Sequence, residues 1–130
     1  MSPRRIPRDW PNRHCSRRVH AAGLDWHVQV LGQGPVLLLL HGTAAATHSW
    51  AALAPLLAER FTVVAPDLPG HGFTALAPPA QCSLPGMSRA VAALLAELGL
   101  APRYLVGHSA GAAIAAALCL QGNAAPAALV

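Results

Sequence analysis

The apolar residues of the chain fall into short runs that predict alternating strands and helices. Val36 to Leu40 is apolar without alternation, which is typical of a strand buried on both faces of a parallel sheet. Two further runs, Phe61–Ala65 and Tyr104–Val106, predict neighbouring strands. Residues 16–21 and 24–31 alternate in character on either side of Gly23, which predicts a β-hairpin before the buried strands.

Helical periodicity appears between and after these runs. It predicts helices over Ser49–Leu57, from Met87 to Leu98 with Gly99 as the stop, and over Ala110–Leu120. Residues 68–85 are rich in Pro and Gly and predict a long loop, and residues 122–130 show no pattern. Strands that alternate with helices through short connections predict an α/β fold with a parallel sheet, whose reactive groups gather at the carboxyl ends of the strands.

The amino-acid composition indicates a single folded domain and argues against several other classes of protein. The chain has 130 residues, 54% of them hydrophobic, and a mean hydropathy of +0.41, which indicates one domain with a core and excludes overall disorder. Its longest apolar run, residues 110–120, is too short for a transmembrane segment. Three cysteines without a C-x-x-C pattern indicate neither a disulfide framework nor a zinc site, which favours a cytoplasmic location.

The positive charge is concentrated at the amino terminus. Six of the nine arginines precede residue 19 and only Asp9 opposes them, so this stretch carries +5 while the rest carries −1. Prolines interrupt any regular pattern there. We expect an Arg/Pro-rich arm over residues 1–15, solvated apart from an anchor at Trp10, and a single folded domain over residues 16–130. The arm lacks the aromatic or Gly interleaving of a nucleic-acid binder, so no nucleic-acid partner is expected.

The strongest chemical signal lies between the third buried strand and the last helix. Gly107-His108-Ser109-Ala110-Gly111 is a G-x-S-x-G sequence, in which the two glycines leave room for a sharp turn that exposes the serine. Ser109 is therefore a candidate nucleophile beside a helix amino terminus, where negative charge is favoured. The alternative is that Ser109 only caps the helix.

His41-Gly42-Thr43 follows the first buried strand and predicts an oxyanion loop. The backbone N–H of Ala110 would be one oxyanion donor, and that of Thr43 the other, with Ala44 as the alternative. His41 is expected to be structural, since the general base in such sites follows the nucleophile in sequence.

Asp67 follows the second buried strand, at the start of Asp67-Leu68-Pro69-Gly70-His71-Gly72. We favour an Asx-type role, in which its carboxylate ties down the turn through backbone N–H groups, over a role as catalytic acid. His71 could face a pocket or be solvated. No phosphate loop, metal-ligand spacing or cofactor motif occurs, so neither a cofactor nor a metal is expected.

These three loops, in this order, resemble the α/β-hydrolase superfamily. Several segments more closely resemble the magnesium-chelatase accessory proteins of bacteriochlorophyll biosynthesis: DWPNR, WHVQV, HGTAAATHSW, APDLPGHGFT, SLPGM and GHSAGAAI. The resemblance implies the amino-terminal portion of an α/β-hydrolase fold, made of a β-hairpin followed by a parallel βαβαβα three-layer sandwich. It also implies a role in magnesium insertion into a porphyrin, with a small hydrophobic acyl or tetrapyrrole substrate and magnesium chelatase as a partner.

The chain departs from the family in one respect. The family's triad continues after the serine with Asp or Glu and then His, yet residues 110–130 contain none of these. We therefore expect a hydrolase truncated after the nucleophile helix, inactive alone, and aggregation-prone because the Tyr104–Val106 strand would have a bare outer edge. The full-length form would hydrolyse an ester or related acyl bond. The alternatives are a non-catalytic protein that binds tetrapyrrole or docks on the chelatase, and an inactive truncated gene product.

Overall fold

The computed structural model describes residues 4–130, so residues 1–3 of the predicted arm lie outside the described residues. A six-stranded mixed sheet in the order β1-β2-β4-β3-β5-β6 forms its centre. The strands are Ser16–Ala21 (β1), Leu24–Leu31 (β2), Val36–Leu40 (β3), Thr62–Pro66 (β4), Tyr104–Gly107 (β5) and Ala128–Leu129 (β6). The helices are Leu53–Leu57 (α1), Leu84–Leu98 (α2) and Ala110–Leu120 (α3).

Strand pairing agrees with the hairpin and the parallel strands predicted from the apolar runs. β1 and β2 are antiparallel, β2 pairs antiparallel with β4, and β4, β3, β5 and β6 run parallel. The carboxyl ends of β3, β4 and β5 therefore meet at one edge of the sheet. This edge brings together the three loops that carry the candidate chemistry.

Two apolar clusters fill the layers on either side of the sheet. The larger one packs α2 and α3 against the face that includes Trp26, Leu38 and Leu105, all fully buried. The smaller one packs α1 and its flanking residues against the face that includes Leu39 and Val63. The small alanine side chains of α3 let this helix lie close to the sheet.

Several predicted boundaries differ from the observed ones. The predicted helix over 49–57 is instead a 3₁₀ turn at Thr47–Trp50 followed by the short α1. α2 begins at Leu84, inside the predicted loop, because the Ser83 hydroxyl accepts a hydrogen bond from Gly86 N and Pro85 is tolerated in a first helical turn. Each difference comes from local hydrogen bonding that periodicity does not report.

The outer edge of β5 is not bare, so that expectation is wrong. Tyr104 and Leu105 pair with Ala128 and Leu129 of β6, and the Val130 N–H donates to Leu105 O at 2.8 Å. Residues 122–130, where we predicted no element, thus return to the sheet. The exposed edge moves outward to β6, where Leu129 is 46% exposed.

The described part of the arm is mostly exposed, as we expected, but it contacts the body of the protein at several residues. Trp10 stacks edge-on against Phe73 and His48, with ring centroids 4.8 and 5.2 Å apart, and its Nε1 donates to Thr47 Oγ1 at 2.9 Å. The Arg4 guanidinium donates to Gly72 O. The predicted anchor at Trp10 is confirmed, and the arm joins the loops that follow β3 and β4.

Candidate active site

Ser109 occupies the sharp turn between β5 and α3. Its backbone has φ 56° and ψ −118°, a conformation that is strained for a residue with a side chain. The residue stands at the N-cap position of α3, yet its hydroxyl makes no capping hydrogen bond. The capping alternative is therefore wrong, and Ser109 is an exposed residue that lines a cavity.

Two glycines at this turn leave no room for a Cβ, and a third leaves little room. A Cβ at Gly111 would lie 2.1 Å from Leu40 O, and one at Gly107 would lie 2.5 Å from Ala112 Cα. A Cβ at Gly42 would lie 2.9 Å from His108 Nδ1, the end of a side chain, and 3.3 Å from the Ser109 Cβ. The glycines thus let α3 approach the end of β3 and leave room beside the serine, as the G-x-S-x-G spacing predicts.

A cavity of about 360 Å³ opens in front of Ser109 and is lined by His41, Gly42, Thr43, Ala45, Ser49, Trp50, His108 and Ser109. Thr43 and Ala110 both line an adjoining, more apolar cavity of about 320 Å³. Within the described residues, neither the Thr43 N–H nor the Ala110 N–H donates to a protein acceptor. Both predicted oxyanion donors thus line one cavity, and their N–H groups have no acceptor among the described residues.

His41 is a structural residue of this site. Its ring is fully buried; Nδ1 donates to Gly42 O at 2.8 Å and Nε2 accepts from Leu68 N at 2.9 Å. Burial lowers the pKa of His41, which agrees with a neutral ring that accepts at Nε2. With both nitrogens engaged, His41 links the loops after β3 and β4 and has no lone pair left for Ser109.

Asp67 ties the same loops together. Its fully buried carboxylate accepts from Thr47 N at 2.7 Å, from Phe73 N at 2.8 Å and from His27 Nδ1 at 2.7 Å. Burial raises the pKa of Asp67, but the hydrogen bonds from His27, Phe73 and Thr47 outweigh it and hold that pKa below its usual value. The Phe73 contact is the turn-anchoring bond that we predicted, and a Cβ at Gly72 would collide with this carboxylate.

His27 is the residue that the sequence analysis missed, since it carries no motif and pairs with Asp67 across 40 positions. His71, by contrast, faces the second cavity, with its Nδ1 donating to Pro69 O at 3.0 Å.

Among residues 4–130, no group of three His, Cys, Asp or Glu side chains is placed to hold a metal ion. None of the described helices is long and apolar enough to cross a membrane.

Comparison with known proteins places the fold in a family. The sequence model of the alpha/beta hydrolase fold matches residues 35–128, which includes the loops of His41, Asp67 and Ser109. The chain belongs to the alpha/beta hydrolase fold family. Epoxide hydrolase VrEH1 from Vigna radiata superposes with a TM-score of 0.80 at 32% identity, over 87% of this chain and 38% of that structure. The fold predicted from the three loops is thus confirmed.

Similar curated proteins carry several names. The chain is 41% identical over 123 residues to the magnesium-chelatase 30 kDa subunit of Rhodobacter capsulatus. This match covers 93% of this chain and 43% of that protein. It is 41% identical over 94 residues to a pimeloyl-[acyl-carrier protein] methyl ester esterase of Aeromonas hydrophila, covering 72% of this chain and 35% of the esterase. The chain therefore spans less than half the length of these relatives.

Proposed function

We propose that this chain carries the nucleophile and the oxyanion donors of a serine hydrolase that acts on an ester or related acyl bond. The observation that carries the proposal is the backbone of Ser109, held at φ 56° without any capping bond. A strained turn of this kind persists only where the surrounding structure imposes it, and such turns cluster at reactive sites. Gly107 and Gly111 leave the room that this turn needs.

The reaction follows from the placement of the groups. The Ser109 hydroxyl would attack the acyl carbon, and the N–H groups of Thr43 and Ala110 would stabilise the negative charge on the carbonyl oxygen. The proton of the hydroxyl needs a base, and residues 110–130 contain no Asp, Glu or His. We therefore expect residues 1–130 alone to lack hydrolase activity, with the acid and base coming from sequence outside them.

Acyl transfer is favoured over epoxide or haloalkane hydrolysis because the nucleophile is a hydroxyl. Those two reactions open a carbon–oxygen or carbon–halogen bond by attack of a carboxylate, and Ser109 stands where that carboxylate would have to be. The choice rests on the nucleophile alone, because the similar proteins include an epoxide hydrolase as well as the methyl ester esterase.

The second candidate function is an accessory role with magnesium chelatase in bacteriochlorophyll biosynthesis. It is supported by the 41% identity to the chelatase 30 kDa subunit across 93% of this chain. In that role the cavities above the sheet would hold a tetrapyrrole or present a docking surface without catalysis. An inactive gene product is the third candidate, and it would show neither property.

Ser109→Ala in the complete gene product separates these candidates. We expect the variant to lose hydrolysis of p-nitrophenyl esters and, if catalysis serves the pathway, to fail to support pigment synthesis while remaining folded by circular dichroism. Pigment synthesis at the wild-type level in the folded variant would contradict the catalytic role and favour the binding role. Ser49→Ala, which alters another cavity serine, is the matched control and should retain both properties.

A further inference from the structure

A second serine, remote in sequence from Ser109, is part of a complete Ser–His–Asp hydrogen-bond chain. Ser16 on β1 places its Oγ 2.7 Å from His27 Nε2 on β2. The Nδ1 of the same ring lies 2.7 Å from Asp67 Oδ2, after β4. None of the three side chains lines the cavity in front of Ser109.

The surrounding groups determine the direction of these hydrogen bonds. Asp67 accepts from two backbone N–H groups, so its carboxylate is held as an acceptor toward His27. In the tautomer that donates its Nδ1 hydrogen to Asp67, Nε2 is an acceptor. Gln29 Nε2 donates to Ser16 Oγ at 3.3 Å, which leaves the hydroxyl hydrogen directed at His27. These are the donor and acceptor roles of a nucleophile, a base and an orienting acid.

Burial differs along this chain of contacts. His27 and Asp67 are fully buried, whereas Ser16 is partly exposed on the edge strand of the sheet. The base and the acid are therefore shielded from water, and Ser16 is the member of the three that is nearest to solvent. A serine activated in this way reacts with small electrophiles faster than an ordinary surface serine.

We propose that Ser16 is a second nucleophilic serine and a site of covalent modification by small activated acyl or phosphonyl donors, with His27 as its base. With a phosphonyl fluoride, Ser16 Oγ forms a bond to phosphorus, the phosphorus–fluorine bond breaks, His27 Nε2 takes the hydroxyl proton and fluoride leaves. The proposal is independent of any role for Ser109.

The test uses the complete gene product carrying Ser109→Ala, treated with diisopropyl fluorophosphate and mapped by peptide mass spectrometry. The internal control is Ser83, an exposed serine whose Oγ also accepts an N–H hydrogen bond, from Gly86, but which has no histidine partner in the described structure. We expect modification of Ser16 at least tenfold faster than that of Ser83. His27→Gln, which retains a donor toward Asp67 but removes the base, should abolish this advantage.

Equal rates at Ser16 and Ser83 would overturn the proposal, and this comparison needs no change to the buried pair. A Ser16 rate that is unchanged in a folded His27→Gln chain would also overturn it. It would show that the contact between Ser16 and His27 serves packing alone. Loss of the label in Ser16→Ala confirms the assignment of the modified peptide.

Discussion

Replacing Asp67 by asparagine removes the charge from a buried carboxylate on which three chain segments converge. The carboxylate accepts from Thr47 N, Phe73 N and His27 Nδ1 at 2.7 to 2.8 Å, and its exposure is zero. An asparagine retains one acceptor oxygen but presents an NH₂ group to at least one of these donors. A hydrogen bond to a buried charged group contributes about 1.5–3 kcal/mol, and the substitution weakens or breaks at least one of three such bonds, so we expect the free energy of unfolding to fall by about 2–4 kcal/mol.

Urea unfolding followed by circular dichroism at pH 7 measures this loss. The matched control is Asp25→Asn, because Asp25 also pairs with a histidine, His20, at 3.1 Å, but with side chains 48% and 70% exposed. We expect the control to change the free energy of unfolding by less than about 1 kcal/mol. A loss below about 1 kcal/mol for Asp67→Asn would refute the view that Asp67 holds the loops together.

The pH dependence of stability follows from the same carboxylate. Because the pKa of Asp67 is lower in the folded chain than its usual value, its contribution is fully present above that usual value, near 4. It is lost as the pH falls through the lower, folded-state pKa. Urea midpoints measured from pH 7 to pH 3 should therefore fall more steeply in acid for the wild type than for Asp67→Asn. Parallel curves would contradict this assignment.

Two further substitutions test the packing around the site. Gly111→Ala should lower the free energy of unfolding in urea by more than about 3 kcal/mol, since the new Cβ would lie 2.1 Å from Leu40 O. The control Gly122→Ala, at φ 73° in open space, should lower it by only about 1–2 kcal/mol. Equal losses would contradict the steric argument. Trp10→Phe should cost about 1 kcal/mol, because it removes the hydrogen bond to Thr47 but keeps an aromatic ring against Phe73; an unchanged urea midpoint would show that this bond contributes nothing.

The elements that the sequence predicted well are those encoded by consecutive residues. The buried strand Val36–Leu40 and the turn at Ser109 each follow from a short run, in one case apolar and in the other small. The start of α2 was also encoded locally, although we predicted it at the wrong residue. Ser83 followed by Pro85 is a helix-start signal, and a search for apolar periodicity alone overlooks it.

The contacts that escaped prediction join residues far apart in the chain. The pairing of His27 with Asp67 depends on the order of strands in the sheet, and no sequence motif links the two residues. The docking of the arm depends on where Phe73 and Thr47 present a surface to Trp10. β6 pairs through only two residues, too few for any periodicity to appear.

The measurement that tests the central claim most directly is the rate of p-nitrophenyl butyrate hydrolysis by the complete gene product and by its Ser109→Ala variant. If Ser109 is the nucleophile, kcat/KM should fall by at least about 10³-fold, because removal of a triad serine leaves only the contribution of binding and oxyanion donors. The circular dichroism spectrum should remain unchanged. Equal kcat/KM values for the wild type and a folded Ser109→Ala variant would contradict the account.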